Sequence, residues 1–174
     1  FQTPSSDYLQ YAAQFGVTDV LLNQANLPGD NGRWELRDLV KLRISIEQWG
    51  LKLSALENVP IDFYEDIMIG GPKRDEQIEN MITTVQNIAR AGIPIFGYDW
   101  LPSKVWRTPP KSIRGGAQAT AFNYEIANEM PLTHHREYTE EEMWANLEYW
   151  IKAITPVAEE EGIRLGIHPC DPPV

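Results

Sequence analysis

The stretch Glu161-Gly162-Ile163-Arg164-Leu165-Gly166-Ile167-His168-Pro169-Cys170-Asp171-Pro172-Pro173 decides how the chain is read. A helix-stopping glycine is followed by alternating aliphatics at Ile163, Leu165 and Ile167, which predicts a strand over 163–167. The strand runs out into an imidazole, a thiol and a carboxylate within four residues, stiffened by prolines that fix φ and remove backbone donors. In open α/β sheets and in α/β barrels, the carboxyl ends of parallel strands are where ligands bind. His168 and Asp171 therefore suit a divalent metal or proton transfer. They also suit a capped histidine in an ordinary βα loop, and these residues alone weigh the two readings evenly.

The same phrase, helical pattern then glycine then aliphatic, recurs at Phe15-Gly16-Val17, Trp49-Gly50-Leu51 and Ala91-Gly92-Ile93. Four copies predict an α/β chain of about four parallel strands, near 18–22, 51–56, 93–97 and 163–167, alternating with helices. The helices are expected over Asp7–Phe15 with Ser5 or Ser6 as N-cap, over Trp34–Trp49, from a cap at Asp75, and from a Thr139–Glu142 capping box. Behind Asp75, the residues Ile78, Met81, Ile82, Val85, Ile88 and Ala89 fall on one helical face. Pro156 is expected to kink the last helix. No hairpin signal joins any two strands.

Residues 99–138 lack periodicity, yet hold Trp100, Trp106, Phe122 and Tyr124. A loop that long is usually functional. We expect a folded lid, with 99–122 over the carboxyl-end rim bringing Trp106 and Arg107 toward His168. Arginine suits a carboxylate substrate because its planar fork binds bidentately, although a surface arginine is commoner. Gly115-Gly116 reads as a hinge or a close backbone approach, and His134-His135 as solvated loop residues.

The net charge of −10 argues against a nucleic-acid surface, and no apolar run reaches the length of a membrane span. The single cysteine, Cys170, fits a reducing compartment, so a cytoplasmic location is expected. Walker, Gly-x-Ser-x-Gly and Cys-x-x-Cys motifs are absent from the sequence. If the strands are parallel, their polar ends collect Asn23, Glu57, Asn58, Tyr98, Asp99, His168 and Asp171 at one rim.

Several stretches together resemble the mannonate dehydratase family of metal-dependent, xylose-isomerase-like TIM barrels. They are Gly16–Val20, Gly32–Glu35, Glu57–Pro60, Arg74–Ile78, Ala91–Pro94, Val105–Thr108, Arg114–Ala117 and His168–Pro173. The resemblance implies dehydration of D-mannonate to 2-keto-3-deoxy-D-gluconate in hexuronate breakdown. It implies Mn²⁺ or Fe²⁺ as cofactor, with His168 as a metal ligand. Cys170 departs from it, standing where the family has an aspartate. Asn58, Tyr98, Arg107 and Asp171 are the expected substrate-binding residues.

Eight-stranded barrels take about 250 residues, so residues 1–174 are expected to be one incomplete (β/α)-barrel domain continuing beyond Val174. The catalytic acid and base and the remaining metal ligands are expected there too. Pairing of two copies is the other way to cover the open strand edges. Two alternatives stay open: a sugar isomerase or epimerase on the same barrel, and a non-catalytic sugar-acid-binding protein.

Overall fold

The computed structural model describes residues 4–134 and 136–168. Four strands, β1 (Asp19–Asn23), β2 (Lys52–Glu57), β3 (Ile95–Asp99) and β6 (Arg164–His168), form one sheet in the order β1-β2-β3-β6. Every neighbouring pair is parallel. The order never reverses. With right-handed crossovers, a sheet wound in one direction carries its helices on one face, which makes an arc of a barrel rather than a doubly wound sheet.

The connecting helices are α1 (Ser6–Gln14), α2 (Leu36–Glu47), α3 (Glu65–Ile69), α4 (Arg74–Arg90), α5 (Tyr124–Ala127) and α6 (Glu140–Glu161). Leu22, Leu56 and Phe96 stand in register across the sheet and are 0% exposed. Leu39 and Ile46 of α2, Met81, Val85 and Ile88 of α4, and Trp150 and Ile154 of α6 belong to the same buried core.

The repeated glycine does what the phrase requires. Gly16, Gly50, Gly92 and Gly162 have φ of 76°, 75°, 81° and 67°, a left-handed turn that costs a side chain energy. At three of them the next residue's N–H reaches back over the helix end: Val17 to Ala12, Ile93 to Ile88 and Ile163 to Ala158. Ser5 caps α1, its Oγ accepting from the Tyr8 N–H. Thr139 and Glu142 form the reciprocal capping box of α6, which continues through Pro156 to Glu161.

Two expectations are corrected. Asp75 is not the cap of α4, which begins at Arg74. The carboxylate of Asp66 instead accepts the Lys73 N–H at 2.8 Å, and Asp75 lies in the first turn. The segment after β3 also holds a hairpin, with β4 (Thr108–Ser112) antiparallel to β5 (Gln118–Ala121). Gly115 and Gly116, with φ of 73° and 80°, make its turn. Pro109-Pro110 hid the strand from a sequence reading, because proline cannot donate to a ladder. The register shift between Thr108 and Lys111 falls across those two prolines.

Candidate active site at the carboxyl ends of the strands

Each strand runs one or two residues further than its sequence pattern predicts. Asn23, Glu57, Asp99 and His168 are therefore the final strand residues rather than the first loop residues. Strand alternation, not loop conformation, then aims their side chains. Leu22, Leu56 and Phe96 face the helices, so Asn23 and Glu57 face the opposite, open side. Gly97 and Asp99 follow the same parity, as do Gly166 and His168.

The register adds a step. Asn23 pairs with Glu57, Glu57 with Gly97, and Gly97 with Gly166; Asp99 pairs with His168 one level further out. Two polar ends thus stand level with two glycines, and the next pair of polar groups stands above those glycines. The result is a hollow of about 210 Å³ lined by Leu21, Ala55, Glu57, Gly97, Gly166 and His168, among others. A Cβ at Gly97 would meet Glu57 Cγ at 3.4 Å, whereas one at Gly166 would meet nothing within 4 Å.

The exits of β1 and β2 are bent sharply. Gln24 and Asn58 have φ of 47° and 61°, uncommon for residues with a side chain. Their N–H groups donate to the Glu57 and Gly97 carbonyls at 2.7 and 2.8 Å. The ladder is thereby continued one step past the strand ends. Asn58 is 3% exposed, and its amide donates to Asn23 Oδ1 at 3.3 Å.

Asp99 Oδ1 lies 3.8 Å from His168 Nδ1. Burial pushes the Asp99 carboxyl above the ordinary carboxylate range. The His168 charge opposes that shift, the Glu57 charge adds to it, and the Asn58 amide opposes it. The Tyr64 hydroxyl, buried just after β2, is likewise pushed up, by burial first and then by the charge of Asp99. Glu57, Asn58, Tyr64, Asp99 and His168 are thus one electrostatic group.

The expected site residues divide. Asn58 and His168 are brought together with Asp99 and Glu57. Tyr98 has the opposite parity: its ring lies 5.4 Å from Trp150 of α6, edge to face, in the layer between sheet and helices. Arg107 is half-buried just before β4 and donates to the Trp106 carbonyl at 3.0 Å. Trp106 lines a separate hollow of about 510 Å³ with Trp100, His134, Arg136 and Tyr138. His134 is not simply solvated, since its Nε2 lies 2.5 Å from the Pro102 carbonyl. Asp171 and Cys170 lie outside the described residues, as does His135. The sequence gathers Glu57 and Asp99 at the rim without assigning either a role. The parity of Asp99 with Gly97 was the signal that distinguishes it from Tyr98.

Among the described residues, no three His, Cys, Asp or Glu side chains are arranged to hold a metal ion. His168, an imidazole backed by a carboxylate, has the chemistry of one ligand. The described residues do not supply the rest of a set. Nor does any described helix have the length and apolarity to cross a membrane. A larger hollow of about 640 Å³ lies between α1 and β1, at the sheet edge opposite His168. Leu9, Tyr11, Phe15 and Val17 help to line it together with Asp7 and Asp19, and its wall is mostly apolar.

The profile of the D-mannonate dehydratase (UxuA) family matches residues 3–134 and 128–174. A mannonate dehydratase of Streptococcus equi subsp. zooepidemicus is 34% identical over 90% of this chain and 48% of its own length. The crystal structure of mannonate dehydratase from Streptococcus suis superposes with a TM-score of 0.79 at 33% identity, covering 95% of this chain and 50% of that one. D-psicose 3-epimerase from Clostridium cellulolyticum, at 12% identity and a TM-score of 0.53, shares the fold over 94% of this chain and 47% of its own. The chain spans about half the length of the curated relatives it matches.

Proposed function

Because the chain belongs to the D-mannonate dehydratase family, we propose that the protein removes water from D-mannonate to give 2-keto-3-deoxy-D-gluconate. The observation that carries this reading beyond the family match is the stepped rim. His168, Asp99 and Glu57 share one face at the carboxyl ends of parallel strands, with His168 and Asp99 above two glycines that leave room for a small polar substrate. That is where barrels of this kind place their chemistry.

Dehydration next to a carboxylate requires loss of an α-proton and protonation of a departing hydroxyl. A divalent ion, Mn²⁺ or Fe²⁺, would supply a Lewis acid for the sugar-acid carboxylate and neighbouring hydroxyl. His168 would contribute one of its ligands, and groups outside the described residues would contribute the others. Asn58 orients substrate from the floor of the rim. Arg107 engages the sugar acid from the loop side, and the family resemblance assigns Asp171 to the substrate as well. Glu57 joins this assignment, and Tyr98, which also lines the hollow, keeps its ring against Trp150. A place in hexuronate breakdown and a cytoplasmic location belong to the same proposal.

The test is incubation of the full gene product with D-mannonate and Mn²⁺ or Fe²⁺. The expected product is the keto-deoxy acid, with turnover abolished in His168→Ala. An epimeric or isomeric sugar would identify an isomerase on the same fold. Binding of D-mannonate without turnover would identify a sugar-acid-binding protein.

A further inference from the structure

We propose that Asp99 is a positioning residue for His168: it holds the imidazole through Nδ1 and so makes Nε2 the ring atom presented to the ligand. The juxtaposition stands on the sheet alone. Only the identity of the ligand rests on the dehydratase reading.

Asp99 and His168 are register partners and the last residues of two adjacent parallel strands. Their inner neighbours on that face are Gly97 and Gly166, so no side chain intervenes from below. The carboxylate oxygen sits 3.8 Å from Nδ1, within ion-pair reach. The two side chains differ in exposure, 15% for Asp99 and 50% for His168. One member is therefore anchored and the other displayed. Asn58, Tyr64 and Glu57 surround the anchor: the Asn58 amide favours its charged form, and the other two come from the elements that follow and form β2.

A neutral imidazole carries one N–H and one lone pair. A carboxylate 3.8 Å from Nδ1 favours an N–H there electrostatically and disfavours a lone pair. The Nδ1–H tautomer is thereby selected, with the lone pair on Nε2. That is the arrangement in which a histidine ligates a cation or takes a proton. Without Asp99 this bias toward the Nδ1–H tautomer is removed.

The test is long-range ¹H–¹⁵N spectroscopy of the histidine-labelled full protein at alkaline pH, where the rings are neutral. His168 is assigned by the signals missing from His168→Gln. The native protein is expected to show His168 as the Nδ1–H tautomer. Asp99→Asn and Asp99→Ala, which both remove the carboxylate charge, are expected to shift the population away from Nδ1–H. A native His168 in the Nε2–H form, or one tautomer unchanged across all three proteins, overturns the proposal. The native spectrum decides even if a variant fails to fold. Titration with Mn²⁺ alone separates the two readings. Affinity is expected to fall about 10–100-fold in Asp99→Asn. Absence of Mn²⁺ binding in the native protein would instead count against the dehydratase reading, with the tautomer result still deciding this one.

Discussion

The two faces of the four-stranded sheet are made from the same residues in alternation, yet they are built on opposite terms. Toward the helices, Leu22, Leu56 and Phe96 are fully buried in register, and Tyr98 closes the row against Trp150. Toward the open side stand Leu21, half exposed, then Ala55, Gly97 and Gly166, with Asn23, Glu57, Asp99 and His168 at the ends. One face is filled with large buried side chains, and the other sets Ala55, Gly97 and Gly166 between Leu21, Ile95 and the polar rim. The difference shows where stability and chemistry have been separated: the helical side holds the arc together, and the open side spends little side-chain volume until the polar rim.

This contrast can be broken most severely at Phe96. Phe96→Ala should cost about 3–5 kcal/mol, as fully buried aromatics do when the cavity cannot collapse. Ile95→Ala, one residue away on the open face, should cost no more than about 1 kcal/mol, since its side chain is only partly removed from water. Urea unfolding of both variants checks the pair. Equal losses would mean that the open face is as tightly packed as the other.

A middle-sized effect is expected at Asn58, where the rim depends on backbone conformation as well as on a side chain. Asn58→Ala should lose about 1–3 kcal/mol, through left-handed strain and the lost bond to Asn23. Asn58→Gly should recover the backbone part. If glycine and alanine proved equally damaging, the side chain alone would carry the position.

The smallest effect on stability should come from Gly166→Ala. Its Cβ would project into open space, and alanine is the better strand residue, so unfolding should shift by less than about 1 kcal/mol. The same methyl would narrow the hollow beneath His168. Calorimetric titration with D-mannonate should therefore show weaker binding in a protein of undiminished stability. Weaker binding only in step with lost stability would remove the distinction between the faces.

The sequence by itself determined the alternation of helix and strand, because the glycine stop is local chemistry. A left-handed turn at Gly16, Gly50, Gly92 and Gly162 is readable without knowing what packs where. It also determined the Thr139 cap and narrowed the first cap to Ser5 or Ser6, since the partners of such caps lie three residues away. Tertiary structure decided what depends on partners distant in the chain. The Lys73 N–H at the start of α4 is held by Asp66 across a loop. The β4–β5 hairpin exists despite Pro109-Pro110 because its partner strand and the Gly115-Gly116 turn tolerate the missing donors. Above all, pairing with neighbours extended each strand past its aliphatic run. One or two further residues of strand are what set Asp99 beside His168 on the open face and turned Tyr98 toward the helices, since side-chain direction in a strand reverses with every residue.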